Sequence, residues 1–257
     1  MPTLFLSLIL LAASTTSPAQ VQAPPAPMRS ASPQQALDAA KAANAPLFYR
    51  GEDKRSAATR KVGPERWGLA ARDFSVTCDE ALASKAGLPA RWKEIKAAAD
   101  AGDAFAQHLA GVYLRLPIGG KKDKQAWQYF DKAAAQGLVR ADADVIAHAW
   151  DIAETDEEDA EAADALGALW LSDNAHAKHL FGLRSILHGN VLQGMQSVQY
   201  GAHADYAPAH LLAADLILKQ GKTVTPEMKR ASRWHAERAA ALGLSAAVAY
   251  LAKHPAN

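Results

Sequence analysis

The chain has 257 residues and a formal net charge of +1, with 28 basic residues against 27 acidic residues. A nucleic-acid-binding surface needs an excess of basic side chains, so this balance argues against nucleic acid as a partner. Hydrophobic residues make up 49% of the chain and aromatic residues only 7%, so the apolar content is largely Ala and Leu, which suits closely packed helices.

The first element is an apolar run from Leu4 to Ala13 that continues into small and polar residues. A helix that crosses a bilayer takes about 20 apolar residues, so no stable membrane anchor is expected. A secretory signal peptide over residues 1–23 is the better interpretation, with cleavage after Ala19 or after Ala23. An uncleaved apolar N-terminus is the alternative. The predicted location of the mature chain is therefore periplasmic or secreted.

A linker and an irregular helical region follow the predicted signal peptide. Residues 24–33 are rich in Pro, Ala and Ser, and we expect them to form an extended linker. Residues 34–89 are predicted to be helical but partly irregular, with a first helix over 33–44 and short helices over 65–85. Cys78 is the only cysteine, so an internal disulfide is excluded and burial as a small apolar residue is expected.

Regular helix pairs are predicted over residues 90–253, which form one repeat domain. Turn residues mark the helix ends: Gly137 supplies a positive φ at one end, and Thr225 followed by Pro226 begins another helix. The predicted helices cover residues 89–99, 103–115, 123–137, 140–154, 156–171, 174–187, 191–204, 206–219, 226–241 and 244–253. The last helix has no partner and would cap the open end of the array.

A short motif of small residues recurs along these helices. Two alanines, a turn glycine and a further alanine occur at Ala98–Ala106, at Ala133–Ala141 and at Ala239–Ala247. The final alanine of each motif is Ala106, Ala141 or Ala247. Together with Ala177 and Ala209, these alanines fall at intervals of 35, 36, 32 and 38 residues. A period in this range indicates stacked helix pairs, so the predicted fold is an all-α solenoid.

Residues 97–137 resemble the Sel1-like repeat, a relative of the tetratricopeptide repeat. The residues that carry the resemblance are Ala106, Gly111, Asp123, Ala126, Tyr129, Ala133, Ala134 and Gly137. Asp123 is expected to cap the second helix. Residues 138–173 depart most from the repeat, because Val145 and Ile146 replace an apolar residue followed by a small one. The resemblance implies a right-handed superhelix of antiparallel helix pairs whose first helices line a concave groove.

The resemblance also implies a non-catalytic adaptor that binds a protein or peptide segment in this groove. Ten residues of the first helices are expected to form the binding surface: Phe105, His108, Arg115, Arg140, Trp150, His176, His179, Leu183, Leu211 and Asp215. Such a surface suits an amphipathic or extended segment with some acidic character. In an open groove, Arg140→Glu would barely alter stability. The alternative is that this strip partly buries itself in a tight superhelix.

Histidine spacing raises a second hypothesis. His176 and His179 lie three residues apart on one helix face, and His108 holds the same repeat position as His179. Structural metal sites usually show four ligands, so this pair is a weak signal and we predict no metal, cofactor or catalytic residue. The alternative function is a periplasmic hydrolase acting on cell-wall material or a β-lactam, with these two histidines as its polar groups.

Overall fold

The computed structural model describes residues 48–49, 53–171 and 174–255. The predicted signal peptide, the linker and the helix over 33–44 lie outside the described residues. Within the described part of the chain, the fold is built from α-helices joined by short turns, and the only β-type pairing is an isolated bridge between Tyr49 and Leu138. This confirms the all-α class.

The N-terminal helices are short until the fourth. They are α1 (Ala57–Lys61), α2 (Ala71–Val76), α3 (Asp79–Ala86) and α4 (Leu88–Asp100), with a 3-10 turn at Pro64–Trp67 between the first two. Buried Thr59 ties the start of this region to the repeats, because its hydroxyl accepts a hydrogen bond of 2.6 Å from the backbone nitrogen of Ala104.

Four helix pairs and a final single helix follow. The pairs are α5 (Ala104–Arg115) with α6 (Asp123–Ala135), α7 (Val139–Asp151) with α8 (Asp156–Trp170), α9 (Ala175–Leu187) with α10 (Val191–His203), and α11 (Ala207–Leu218) with α12 (Pro226–Ala241); α13 (Ser245–Lys253) ends the array. Each of these helices packs on its neighbour in the chain. The described residues therefore form repeated helix pairs, as a Sel1-like solenoid requires.

Local signals fix most of the helix ends. Asp103 caps α5 by accepting a hydrogen bond of 3.0 Å from the nitrogen of Ala106, and Thr225 caps α12 in the same way. Gly137 has φ +82° and ends α6 as predicted. The expectation for Asp123 was wrong by one position: Lys122 is the N-cap residue, and Asp123 is the first residue of α6.

Small residues let the two helices of a pair cross closely. A Cβ atom placed on Gly111 of α5 would lie 2.7 Å from the ring of Phe130 on α6. One placed on Gly182 of α9 would lie 2.9 Å from the backbone oxygen of Gly194 on α10. Both glycines are therefore required by the separation of the two helices rather than by backbone conformation.

Residues 71–86 form α2 and α3 and lie across the repeat helices; we call them the bridging segment. The ring of Phe74 packs edge-on against that of Phe105 on α5, with 5.1 Å between ring centroids. Helix α2 also packs on α9. The bridging segment thus reaches two of the helices that come first in their pairs.

The second half of the bridging segment reaches the end of the array. Cys78 and Ala81 belong to a buried cluster with Ala207, Ala239, Leu244 and Ala247, residues in and around α11, α12 and α13. The carboxylate of Glu80 accepts a hydrogen bond of 2.9 Å from the backbone nitrogen of Ser245 at the start of α13. The bridging segment therefore covers much of the surface formed by α5, α7, α9 and α11, which we call the first-helix face.

None of the helices in the described ranges is both long enough and apolar enough to cross a membrane.

Candidate functional site

The ten residues predicted to line the groove differ widely in exposure. Six of them have an exposed fraction of 9% or less: Phe105, His108, Arg140, Trp150, His176 and His179. Leu183, Leu211 and Asp215 are partly exposed, and Arg115 is exposed. The described residues therefore do not form an open groove over the whole first-helix face.

The bridging segment contacts three of these six residues, Phe105, His108 and Arg140. Phe74 lies 5.6 Å from the ring of His108, in addition to its contact with Phe105. Arg140 donates a hydrogen bond of 2.7 Å from Nη2 to Oδ1 of Asp79, and its Nη1 lies 3.5 Å from the backbone oxygen of Phe74. Intramolecular side chains thus occupy the part of the face where a partner segment was expected.

The expected tolerance of Arg140→Glu needs correction. Arg140 is 1% exposed, and it pairs with a carboxylate from the bridging segment. A glutamate there would bury a second negative charge beside Asp79, which is strongly destabilising. Arg140 therefore holds the bridging segment in place within the fold.

A chain of buried polar groups lies below the bridging segment. Nε2 of His176 is 2.9 Å from Oδ1 of Asp144, and Nδ1 is 2.6 Å from the hydroxyl oxygen of Tyr206. An ionised carboxylate only accepts hydrogen bonds, so Nε2 of His176 carries a proton and donates a hydrogen bond to Asp144. A second histidine, His108, places its Nε2 3.4 Å from the other oxygen of Asp144.

Burial controls the protonation of this cluster. It opposes the charge on Asp144, but His176 and His108 hold the pKa of its carboxyl well below the usual value. Burial raises the pKa of the Tyr206 phenol well above its usual value, so that group stays protonated. Burial, reinforced by His176, lowers the pKa of His179 to about 3. The Tyr206 and His179 side chains are therefore neutral near pH 7.

A cavity of about 400 Å³ remains open beside the bridging segment; we call it the Arg115 cavity. Four of the ten predicted residues line it, namely Arg115, His176, His179 and Leu183, whereas the other six do not. Its apolar lining includes Ala147, Leu180, Pro208 and Leu244. The volume is within the range of ordinary ligand-binding pockets.

Most charged groups around the Arg115 cavity have internal partners. Asp79 is paired with Arg140, and Asp151 accepts a hydrogen bond of 3.1 Å from Nε of Arg184. Arg115 forms no ion pair with any acidic residue in the described ranges; instead its guanidinium lies 5.0 Å from the ring centroid of Trp127. The aromatic ring holds this cation at the cavity without neutralising it.

Sequence reasoning missed several cavity residues. Cys78, Asp79 and Glu80 come from the bridging segment, which lies outside the repeat period, so no repeat position could assign them. Trp127 of α6 stacks on His148, with 4.1 Å between ring centroids, and it also lines the cavity. The burial of Cys78, which is 2% exposed, was predicted correctly.

No family model matches the chain, and no curated protein matches it either. A structure search matches the chain to the crystal structure of a Sel1 repeat protein from Oxalobacter formigenes, with 20% identity, coverage of 86% of this chain and 87% of that chain, and a TM-score of 0.43.

The contacts of His176 and His179 do not favour these histidines as the polar groups of a hydrolase. Both ring nitrogens of His176 are already engaged. A base with a pKa of about 3, such as His179, is poorly matched to proton transfer near pH 7. Within the described ranges, no group of three or more His, Cys, Asp or Glu side chains could hold a metal ion. This geometry does not favour the hydrolase alternative.

Proposed function

We propose that this chain is an exported, non-catalytic Sel1-like adaptor that binds a segment of another protein in the Arg115 cavity. The observation that carries the proposal is an unpaired cation at a partly apolar cavity. Arg115 is oriented by Trp127 and lacks an acidic partner among the described residues. A segment that brings one carboxylate to Arg115 and apolar side chains to Leu180 and Leu183 would satisfy both kinds of lining.

The charge balance of the cavity supports an acidic side chain over a basic one. Asp79, Asp144 and Asp151 have internal cationic or histidine partners. The Glu80 carboxylate accepts a hydrogen bond from the backbone nitrogen of Ser245, at the N-terminus of α13, where negative charge is favoured. Arg115 is therefore the charge with the least internal compensation, and charge-assisted hydrogen bonds to a carboxylate are among the stronger polar contacts.

Site-specific crosslinking tests this binding mode. A photoreactive phenylalanine at Leu183 would be introduced into the full chain, and crosslinked segments from the native compartment would be mapped by mass spectrometry. We expect one defined partner segment carrying Asp or Glu, lost on Arg115→Glu and retained on Lys229→Glu, an exposed charge reversal on α12. Capture that is unchanged by Arg115→Glu would contradict the proposal.

Export is the second part of the proposal, and the apolar run from Leu4 to Ala13 supports it. A bacterial periplasm or the medium outside the cell is the proposed location. N-terminal sequencing of the soluble protein would then find a chain that begins at Gln20 or at Pro24. Protein recovered with Met1 intact would contradict export.

The absence of catalysis is also a proposal, with its own assay. Wild type and His179→Ala would be compared in a penicillin-hydrolysis assay. We expect no turnover above buffer from either protein. Turnover by the wild type that is lost in His179→Ala would contradict the adaptor function and support the hydrolase alternative.

A further inference from the structure

The α7–α8 pair differs from the other three pairs at the position where the two helices cross. Five residues after the repeat alanine, the chain has Gly111 in α5, Gly182 in α9 and Ala214 in α11, but Ile146 in α7. The small residues allow close crossing. Ile146 places a branched side chain in the same position, and α7 and α8 are packed less closely than the helices of the other pairs.

An apolar groove of about 520 Å³ lies where these two helices are held apart; we call it the Ile146 groove. Its floor and walls are aliphatic: Val145, Ile146, Ala149, Ile152, Ala153, Ala162 and Ala165. Ile152 is 61% exposed, although it is a large apolar side chain. The groove therefore presents exposed aliphatic surface, and its burial by a bound segment would be favourable.

The rim of the Ile146 groove is acidic. Glu154, Glu158 and Glu161 line it, and no basic residue of the described ranges does. All three are exposed, and none forms an ion pair with a described residue; the one contact among them is a hydrogen bond of 2.9 Å from the nitrogen of Glu154 to Oε2 of Glu158. The rim thus carries three carboxylates without counter-charges.

Helix stabilisation accounts for only part of this acidity. Negative charge in the first turn of a helix is favoured by the helix dipole, which explains Glu158 in the first turn of α8. Glu154 precedes the helix and Glu161 follows its first turn, so the dipole does not account for them. The aliphatic floor and the acidic rim instead match an occupant that is aliphatic on one side and basic at its edges.

We propose that the Ile146 groove docks a cationic amphipathic segment of another protein, with Leu, Ile or Val side chains in the groove and Lys or Arg at the rim. This surface is separate from the Arg115 cavity, which takes an acidic residue. The opposite charge preferences allow one chain to hold two different segments, as an adaptor requires.

A labelled peptide of 14 residues, composed of Leu and Lys with Leu at helical i, i+3, i+4 spacing, tests the proposal by fluorescence anisotropy on the full chain. We expect saturable binding that weakens with added salt. The same pattern built from Leu and Glu should not bind. No binding of the Leu/Lys peptide, or equal binding of both peptides, would overturn the proposal.

Two pairs of variants locate the binding. Ala149→Trp fills the groove and should abolish saturable binding, whereas Ala168→Trp, an exposed alanine of α8 outside the groove, should not. Glu158→Gln with Glu161→Gln should weaken binding roughly fivefold, as expected for two exposed charge pairs. Glu227→Gln with Glu237→Gln removes the same charge from α12 and should change little. Identical binding by a groove variant and its control would overturn the proposal.

Two further measurements distinguish binding in the Ile146 groove from binding in the Arg115 cavity and from self-association. Arg115→Glu should leave binding of the Leu/Lys peptide unchanged. Binding in the Ile146 groove can therefore be confirmed even if no partner binds the Arg115 cavity. Sedimentation of the wild type should show a monomer. Ala149→Trp should therefore leave the sedimentation unchanged. Self-association of the wild type that Ala149→Trp removes would assign the groove to a second copy of this chain and overturn the proposal.

Discussion

Nη2 of Arg140 on α7 lies 2.7 Å from Oδ1 of Asp79 on α3, although the two residues are 61 positions apart in the chain. Burial opposes a charge on Asp79. The Arg140 guanidinium nevertheless holds the pKa of the Asp79 carboxyl below the usual value, so Asp79 stays charged at this half-buried position. This pair fastens the bridging segment to the first-helix face at α7.

Arg140→Glu should therefore destabilise the protein by about 3 kcal/mol or more, since it removes the counter-charge and adds a buried anion. Urea unfolding followed by circular dichroism would measure the change. Arg115→Glu is the matched control, because this exposed arginine has no described ion-pair partner, and its change should stay within about 0.5 kcal/mol. Equal stability of Arg140→Glu and the wild type would contradict the burial of Arg140.

A double-mutant cycle separates the Arg140–Asp79 pair from general packing loss. Asp79→Asn should cost more free energy of unfolding in the wild type than in the Arg140→Met background, because the ion pair is present only in the first. Equal costs in the two backgrounds would show that the two side chains do not interact.

Acid should weaken the fold through histidines that are buried neutral. Burial lowers the pKa of His179 to about 3, below the value of about 6.5 expected in the unfolded chain. As the pH falls below about 6.5, the unfolded chain binds a proton that the folded chain does not, so stability is present above that pH and is lost below it. The loss from this residue is at most about 1.4 kcal/mol per pH unit.

The variant His179→Gln isolates this contribution. It keeps a polar side chain but cannot titrate, so its stability relative to the wild type should improve steadily as the pH falls from 6.5 to 4.5. Urea midpoints at several pH values would measure the trend. A difference that does not change with pH would show that His179 is not buried as a neutral ring.

Cys78 should be unreactive in the folded protein. Burial raises the pKa of its thiol, and the side chain is 2% exposed beneath the end of the array. A thiol reagent such as dithionitrobenzoate at pH 8 should label Cys78 slowly in buffer and rapidly in urea. The control is Lys222→Cys in a Cys78→Ala background, an exposed site. Equal labelling rates for the two proteins in buffer would contradict this burial.

The helix pairs were predictable because their signals are local. A capping side chain at Asp103 or Thr225 and a positive φ at Gly137 determine helix ends within a few residues, and the alanine spacing shows the stacking. The same reasoning found the departure at Ile146 but not the groove beside it. A wider helix separation follows from packing against a partner helix, which the repeat pattern alone does not specify.

The position of the bridging segment was not predictable in this way. Residues 71–86 lie outside the repeat period, and their contacts with the end of the array join residues far apart in the chain, such as Glu80 and Ser245. The ten residues predicted for an open groove all lie on first helices, but six of them are buried, as Phe105 and His108 show.

The bridging segment spans the first-helix face as far as the end of the array, and an engineered disulfide between positions 81 and 243 would show this contact in solution. A Cβ atom on Gly243 would lie 3.1 Å from that of Ala81, so a small shift reaches the 3.5–4.5 Å usual for a disulfide. Ala81→Cys with Gly243→Cys would be oxidised in a Cys78→Ala background, with the single variants as controls for strain at Gly243. We predict an intramolecular disulfide, found by mass spectrometry, in a protein of unchanged helical content. A folded double variant whose two thiols remain free after oxidation would contradict this position of the bridging segment.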